Sequence, residues 1–431
     1  MSESQPAKTT SLPDPLPRHF VTDPDWAVPG TIKQRTEDFL VDEIPAYEPC
    51  GEGEHLYLRV QKDGVSHGEL MSTLRRAFNV RNVAIGYAGM KDKRGITQQT
   101  VSIHLPGKHD IPEPIELGHD RIIVLWSARH TNKIQRGHLK GNRFLIRLRG
   151  VEPTHVIRVK RTMQRLEACG VPNFFGGQRF GYRQNNHLVG AAILREDWDS
   201  VIREVLGHGQ TSWPEHQNER RDLFEAGQYE EAARHWPTAD RNEMMMIRRL
   251  AAGGNAKYAV TSVGKPALSF WTNAFQSAIF NRVLDDRIAD GTFDQLLEGD
   301  LAWKHDSRAV FPVTAEELAT GELDERLQRI EISPSGPLWG SGMTLTDGVV
   351  GEHEARALAE TGFDVESYRR IRNAPTGSRR SFRIRVSDWN LDSGVDEHGS
   401  YIRLAFDLTR GGYATMVIRE VTHTDDPQQM R

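Results

Sequence analysis

Apolar and polar residues alternate with a period of two at several places in the first third of the chain, which predicts half-buried strands. The predicted strands span residues 38–44, 55–60, 97–103, 122–126 and 143–148. Between the second and third strands, Leu70, Leu74 and Phe78 recur at intervals of four, as on the apolar face of a helix. Ser66 and Glu69 precede that face with the spacing of a capping box, so the helix is predicted to begin there.

The middle of the chain lacks this alternation and is predicted to be mainly helical. One helix is expected over residues 156–169, ended by Gly170, and others over residues 230–235, 242–252 and 274–288. Strands are expected to return only after Arg379, at residues 382–386, 402–406 and 414–418. A helix-rich segment is therefore predicted to interrupt a domain that contains a sheet.

The predicted fold class is α+β, and 431 residues suit two domains. Residues 1–28 are rich in Pro, Ser and Asp and are expected to form a flexible tail. The domain with the sheet is predicted to comprise residues 29–190 and 379–431, and the insertion residues 191–378.

Composition describes an ordinary soluble protein, with 38% hydrophobic and 26% charged residues. No apolar run approaches the roughly 18 residues that a membrane span needs, and the first residues do not resemble a signal peptide. Two cysteines cannot make a disulfide framework or an all-cysteine zinc site. The expectation is a cytoplasmic protein without a membrane segment.

Charge is distributed unevenly, although the formal net charge is only −4. Residues 129–183 carry a net charge of +11, whereas residues 191–240 carry −6 and residues 285–331 carry −8. Within the basic stretch, Arg143, Arg147 and Arg149 alternate with apolar residues and are expected to face outward as a phosphate track. One basic stripe on an acidic chain is typical of a site for a nucleic-acid backbone.

The candidate for chemistry is Asp92, which lies among the cations Lys91, Lys93 and Arg94 in the segment GYAGMKDKRG. Nearby positive charge favours the ionised carboxylate, and Gly95 would let backbone or a ligand come close. The alternative for this segment alone is a charged turn at the surface.

Motifs for other chemistries are missing from the sequence. There is no HExxH, paired CxxC or EF-hand loop, so no metal site is predicted. There is no GxGxxG or P-loop, so no nucleotide cofactor is expected. A serine hydrolase has little support, because no GxSxG elbow stands out.

Several aromatic residues lie beside glycines or charges and could stack an unpaired base, at roughly 1–3 kcal/mol each. They are Phe39, Phe174, Phe175, Phe180 and Tyr413. Taken singly, each is more typical of a core residue, although Tyr413 is less so because it follows an Arg-Gly-Gly turn. Asn173 could read a base edge through its amide, or it could be a turn residue.

Together these segments resemble the TruD family of tRNA pseudouridine synthases. The resemblance is carried by YAGMKDKRGITQQ (residues 87–99), GHLKGNRF (137–144) and VPNFFGGQRFG (171–181). EDFLVDE (37–43), GEGEHL (51–56) and GYATMVIRE (412–420) support it. SFW (269–271), AIFN (278–281) and SGPLWG (335–340) are similar to parts of the family's inserted domain. The matches run in order from about residue 31 to 423.

The resemblance implies a pseudouridine-synthase catalytic domain with a mostly antiparallel mixed sheet, interrupted by a TruD-type insertion domain. It implies isomerisation of a D-arm uridine of tRNA, usually uridine 13, without cofactor or metal. Asp92 would be the catalytic aspartate, acting as nucleophile at the ribose C1′ or as a base, and Lys33 would be its paired cation. Phe39, Asn173 and Tyr413 would hold the flipped base. Tyr413 stands where the family generally has Phe.

Two other function classes are weighed against this one. A non-catalytic RNA-binding protein of the same fold would have little use for Asp92, because a carboxylate repels phosphate. A metal-dependent nuclease would need Asp92 to converge with Asp38, Asp42 or Glu43. The sequence does not determine the oligomeric state, and a monomer is the expectation.

Overall fold

This computed structural model describes residue 12 and residues 14–107, 113–210, 213–371 and 375–424. The chain divides into two compact units. We call them the sheet unit (the described residues of Phe20–Asn173 and Ile384–Arg431) and the helical unit (those of Met1–His19 and Phe174–Arg383). The unit boundaries thus fall at residues 173/174 and 383/384, whereas the sequence led us to place domain boundaries at 190/191 and 378/379.

The elements of regular structure follow one another along both units. The strands are β1 (Phe39–Pro45), β2 (His55–Asp63), β3 (Ile85–Tyr87), β4 (Ile96–His104), β5 (Ile122–His130), β6 (Leu139–Arg149), β7 (Val171–Pro172), β8 (Leu301–Lys304), β9 (Val310–Pro312), β10 (Ile332–Ser333), β11 (Ser335–Leu338), β12 (Ser378–Ser381), β13 (Arg383–Ile384), β14 (Val386–Asp396) and β15 (Gly399–Thr409). The helices are α1 (His67–Phe78), α2 (Val156–Cys169), α3 (Asn186–Leu194), α4 (Trp198–Val205), α5 (Asn218–Glu225), α6 (Tyr229–His235), α7 (Arg241–Ala251), α8 (Ala256–Thr261), α9 (Lys265–Ala289), α10 (Ala315–Thr320), α11 (Asp324–Gln328), α12 (Gly348–Ala359), α13 (Val365–Arg370) and α14 (Ala414–Thr422).

The sheet unit is built on one sheet of eight strands in the order β14-β15-β6-β1-β4-β2-β5, with β3 beside β4. Every pairing in it is antiparallel except that of β1 with β4, which is parallel. In that parallel pair, Leu40 lies opposite Ile96. Because both strands begin at the same edge, the loop that precedes β4 comes to lie beside the first residue of β1, Phe39.

Helix α1 covers one face of this sheet, and its start agrees with the sequence prediction. Leu70 and Leu74 are buried against β2 and β4, in a cluster with Leu58 and Val101. The Ser66 hydroxyl accepts a hydrogen bond from the Glu69 backbone N–H, as one half of a capping box requires. The Glu69 carboxylate does not complete the box, because it contacts His119 instead at 3.2 Å.

The helical unit surrounds α9, a helix of 25 residues that is buried over most of its length. Gly190 of α3 is required for close packing on α9, because an added Cβ would collide with the backbone carbonyl of Trp271. Phe174, Phe175 and Phe180 are buried in this unit. They are therefore core residues and are not exposed for base stacking. Asn281 of α9 holds the Phe175 backbone, accepting its N–H at 2.8 Å and donating to its carbonyl at 2.9 Å.

Two sequence predictions of secondary structure are wrong. Strands do not return only after Arg379, since β8 to β11 lie within the predicted helical segment. These strands are two to four residues long, too short to show a period, and β11 pairs with β12, which follows α12 and α13 in the chain. Residues 414–418, predicted as a strand, begin helix α14 instead. Val417, Ile418 and Val421 are all buried and, with Ala414, recur at the i, i+3, i+4, i+7 spacing of a helix face. The helical spacing was therefore present in the sequence, beside the apolar run of residues 416–418.

Residues 20–28, assigned by the sequence to the flexible tail, pack on α14. The Glu420 carboxylate accepts hydrogen bonds from the Val21 backbone N–H at 3.0 Å and from the Thr22 hydroxyl at 2.9 Å. The Phe20 ring stacks on His423 with ring centroids 4.1 Å apart. The part of the predicted tail at residues 1–11 lies outside the described residues. Across the described ranges, no helix is both long and apolar enough to span a bilayer.

Candidate active site

Asp92 lies in the loop of residues 88–95 that joins β3 to β4. The loop ends in a tight turn, with the Gly95 N–H donating to the Lys93 carbonyl at 3.1 Å. A Cβ on Gly95 would collide with the Phe39 carbonyl oxygen, so glycine is needed for the close approach of the loop to β1. The expectation that Gly95 admits a close neighbour is met by this backbone contact.

Asp92 forms an ion pair with Lys33, whose Nζ donates to Asp92 Oδ2 at 2.7 Å. The Lys33 side chain is 4% exposed, whereas that of Asp92 is 45% exposed. Nζ of Lys33 also lies 3.9 Å from the ring centroid of Phe39, so the ammonium is held between a carboxylate and an aromatic face. The cation is therefore shielded from water, while the carboxylate remains open to an incoming group.

The cations that neighbour Asp92 in the sequence are directed elsewhere. Lys91 is buried and forms an ion pair with Glu43 of β1 at 3.0 Å, and it donates a hydrogen bond to the Asn142 side chain of β6. Lys93 and Arg94 are exposed, where water and salt screen their charge. The structure therefore brings Lys33, rather than these three residues, into contact with Asp92.

Lys62 binds the backbone of the same loop, and the sequence analysis missed it. Its side chain is fully buried, and its Nζ donates to the backbone carbonyls of Val65 at 2.8 Å and Asp92 at 2.6 Å. Burial lowers the pKa of Lys62 to about 8, against a partial opposing effect of the Asp92 charge. A signal was present, because Lys62 continues the buried alternation of Leu58 and Val60 beyond the predicted end of that strand.

Tyr413 precedes α14 directly and is 41% exposed. The turn before it is tied to the Asp92 loop through Gly137. The Gly137 N–H donates to the Ala88 carbonyl at 2.8 Å, and the Gly137 carbonyl accepts from the Arg410 guanidinium at 2.7 Å. Two hydrogen bonds thus connect the start of the Asp92 loop to the Arg-Gly-Gly turn that carries Tyr413.

The remaining predicted site residues are Phe39 and Asn173, and both are buried. The Phe39 ring, 3% exposed, packs on Phe144 at a centroid distance of 6.3 Å. Behind it, Phe144 stacks on Phe406 of β15 at 5.6 Å. Asn173 follows β7 and is 6% exposed. The buried Phe39 ring therefore packs against the Lys33 side of the Lys33–Asp92 pair. Asn173 is positioned by a different segment of the sheet unit.

The expected outward row of Arg143, Arg147 and Arg149 is wrong at its last member. Arg149 is buried and binds two carboxylates, Asp38 at 2.6 Å and Asp396 at 2.9 Å. Both hydrogen bonds raise its pKa. Arg143 is held by Asp407 through two hydrogen bonds of 2.8 and 2.9 Å. Exposed cations are found instead on the loop before β6, at the start of β6 and on α2, at Arg136, Lys140, Arg158, Lys160 and Arg161.

The carboxylates that a metal-dependent nuclease would combine with Asp92 are each committed to a cation. Asp38 pairs with Arg149, Asp42 with Arg59, and Glu43 with Lys91. Among the described residues, no group of three or more His, Cys, Asp and Glu side chains is placed to hold a metal ion. The pairing of these carboxylates disfavours the nuclease alternative.

Comparisons with known proteins agree with this architecture. A family model described as tRNA pseudouridine synthase D (TruD) matches residues 18–421. Relatives named tRNA pseudouridine synthase D occur in Geobacter metallireducens, 37% identical over 398 residues that cover 91% of this chain and 94% of the relative, and in Geobacter sulfurreducens, 38% identical with coverage of 91% and 93%. A crystal structure assigned to TruD from Methanosarcina mazei matches with a TM-score of 0.79 and 28% identity, over 96% of this chain and 97% of that one.

The fold and these matches define an isomerase of the pseudouridine synthase class. Within that class, the chain belongs to the TruD family. The family resemblance and the α+β fold with a mostly antiparallel mixed sheet, both predicted from the sequence, are thereby confirmed.

Proposed function

We propose that this protein isomerises a D-arm uridine of tRNA, uridine 13, to pseudouridine, with Asp92 as the catalytic carboxylate. The observation that carries the proposal is the ion pair of a half-exposed Asp92 with a buried Lys33. Asp42 is also exposed beside a buried arginine, Arg59, but it lies within strand β1. Asp92 is instead presented to solvent on a loop that is fixed to the sheet.

The reaction needs an ionised carboxylate next to the ribose. Asp92 either attacks C1′ or removes a proton from the sugar, and the bond from C1′ to N1 of the base breaks. The base then turns and C5 bonds to C1′. In the first route this breaks the bond between Asp92 and C1′, and in the second Asp92 returns the proton to the sugar. C5 finally loses its proton, while N1 gains one. The Lys33 ammonium stabilises the negative form of Asp92 in both routes. Atoms and electrons balance within the substrate, so the isomerisation consumes no oxidant, reductant or group donor.

The target base must leave its stack before Asp92 can reach C1′. We propose that Tyr413 stacks on the flipped base and that the Asn173 amide binds its edge. Tyr413 suits stacking because its ring is exposed and its turn is tied to the Asp92 loop through Gly137. Phe39 supports the site from beneath by packing on Lys33.

The experiment is a pseudouridine map of unmodified tRNA transcripts incubated with the protein in the presence of EDTA. We predict one modified position, uridine 13, with the wild-type protein. Asp92→Asn should give no turnover yet bind tRNA within a few-fold of the wild type, because it removes the charge and keeps the shape. Asp120→Asn, an exposed aspartate of the same unit, is the matched control and should behave as the wild type.

The outcomes separate the alternatives. Substantial activity of Asp92→Asn would contradict the role of this carboxylate. If the wild-type protein binds tRNA but makes no pseudouridine, a non-catalytic RNA-binding function replaces the proposal. Cleavage of the tRNA that occurs without EDTA and is abolished by EDTA would favour the metal-dependent nuclease.

A further inference from the structure

Lys62 is a fully buried lysine on β2 whose ammonium binds only backbone. Its Nζ contacts three carbonyl oxygens, those of Val65 at 2.8 Å, Asp92 at 2.6 Å and, more distantly, Lys91 at 3.4 Å. In the described part of the chain, no carboxylate lies within ion-pair distance of it. An ammonium has three donors and no acceptor, so three converging carbonyls match it well.

A charge in this position is costly for the fold. Burying an ammonium without a counter-ion loses hydration that backbone carbonyls only partly replace. Lys91, in the same loop, is also buried, but it is neutralised by Glu43. A lysine retained in a buried site without a carboxylate partner therefore needs another explanation, and the carbonyls that it binds indicate one.

We propose that Lys62 is a positioning residue for catalysis. Its ammonium binds the Val65 and Asp92 carbonyls together and so fixes the backbone of the Asp92 loop. This inference rests on the proposed role of Asp92. Lys62 binds the backbone carbonyl of Asp92 and Lys33 binds its carboxylate. The two contacts together determine where the backbone lies and which way the side chain points, while Lys62 does not touch the substrate.

The pH dependence of this device follows from its surroundings. Lys62 has a pKa of about 8, lowered first by burial and then by Lys91, with Asp92 acting in the opposite direction. His67 at the start of α1 lies within electrostatic range of Lys62 and has a lowered pKa. Above pH 8 the ammonium becomes an amine, loses a donor and releases part of its hold on the loop. We expect the turnover rate of the wild type to fall as pH rises through about 8.

The effect on stability has the opposite sign, which gives a second readout. The ordinary pKa of lysine, 10.5, applies to the unfolded chain, and the folded value is lower. Between about pH 8 and 10.5 the unfolded state therefore binds more protons, so this group's contribution to stability rises with pH. As pH rises above about 8, deprotonation of Lys62 should lower the turnover rate while the free energy of unfolding increases. A lysine with only a structural role would change the free energy of unfolding without lowering the turnover rate.

The test compares the full-length wild type with Lys62→Met, which has a similar shape without charge or donors. Single-turnover rates with saturating protein, KM for a tRNA transcript and amide hydrogen exchange of residues 86–99 are measured from pH 6.5 to 9.5. For Lys62→Met we expect a rate lower by roughly tenfold or more, KM within about threefold, faster exchange in this segment, and no fall of the rate near pH 8. A fall that arises from the substrate itself would be shared by both proteins. Lys257→Met, at an exposed lysine of the helical unit, should match the wild type.

Several results would overturn the inference. One is a rate for Lys62→Met within about twofold of the wild type, and another is a wild-type rate that does not fall near pH 8. If Lys62→Met does not fold, the dependence of the wild-type rate on pH tests the inference, together with that of Lys62→Arg. The arginine stays charged to high pH, so the rate of Lys62→Arg should not fall near pH 8. Pseudouridine formation by the wild type and its loss in Asp92→Asn are established first. Failure of the inference about Lys62 then leaves the proposed function intact.

Discussion

Three cations neighbour Asp92 in the sequence, yet the cation that contacts its carboxylate is Lys33, 59 residues earlier. Burial explains the difference for Lys93 and Arg94, while Lys91 is buried but already paired with Glu43. A charge–charge contact strengthens as water is excluded, and the Lys33 side chain is 4% exposed, whereas Lys93 and Arg94 are open to solvent. At the scale of single residues, the chemistry of the site depends on which charges are removed from water rather than on which are adjacent in the chain.

Tyr413 is the residue on which base stacking can be tested most directly. We expect Tyr413→Ala to lose roughly 1–3 kcal/mol of transition-state stabilisation, the usual contribution of one stacked base. Tyr413→Phe keeps the ring and should remain within a few-fold of the wild type. The measurement is kcat/KM on a tRNA transcript. Because Tyr413 also precedes α14, the thermal midpoint of each variant is recorded. Unchanged kinetics for Tyr413→Ala would exclude stacking on the base.

At the scale of elements, long-range ion pairs join strands that the sequence leaves unrelated. Arg149 at the end of β6 binds Asp38, just before β1, and Asp396 at the end of β14. The local pattern of β6 predicted a strand correctly, because alternation is a property of neighbouring residues. It predicted the wrong environment for Arg149, because the carboxylates that bind this arginine come from the residue before β1 and from the end of β14.

The pair of Arg149 with Asp396 should make the fold sensitive to acid. The Arg149 hydrogen bond lowers the pKa of Asp396 to about 2, from an ordinary value of 3.8. A carboxyl with a lowered folded pKa contributes stability that is fully present above about pH 4 and is lost as pH falls through about 2. Asp396→Asn should therefore be less stable than the wild type at pH 7, and the difference should shrink between pH 4 and 2.

Urea unfolding at each pH measures this difference. Asp120→Asn, at an exposed aspartate without a described ion pair, should show no comparable dependence on pH. An Asp396→Asn variant that stays equally destabilised at pH 2 would show that the loss comes from packing and not from the charge.

At the scale of the whole molecule, the separation of charge is the main indication of an RNA surface. The stretch of net charge +11 has Arg143 and Arg149 committed to internal ion pairs, yet α2 keeps a cationic outer face. Val159, Met163 and Leu166 of α2 are buried, while Arg158, Lys160 and Arg161 are exposed. A solvated helix face usually mixes its signs, and Glu167 is the one acid in this helix.

We expect tRNA binding to weaken with salt, with a contribution from α2. Lys160→Ala combined with Arg161→Ala should weaken binding and reduce the slope of log Kd against log salt by about 1 for each phosphate that is no longer neutralised. The rate at saturating tRNA should stay near that of the wild type, because neither residue contacts the Asp92 loop. Titrations from 50 to 300 mM salt measure the slope, and Lys257→Ala with Lys265→Ala in the helical unit is the matched control. Equal slopes for both pairs would place the RNA surface elsewhere.

The sequence by itself determined the local elements and the family. Alternation and capping located β1, β2, α1, β4, β6 and α2, because each depends on residues within a few positions of one another. The ordered motifs identified the family and marked Asp92. The tertiary structure alone decided which groups meet. Parallel pairing of β1 with β4 brings the Asp92 loop to Phe39 and Lys33. The same long-range packing places the Asp92 carbonyl on the Lys62 ammonium, because the groups that a side chain meets depend on elements that are far away in the chain.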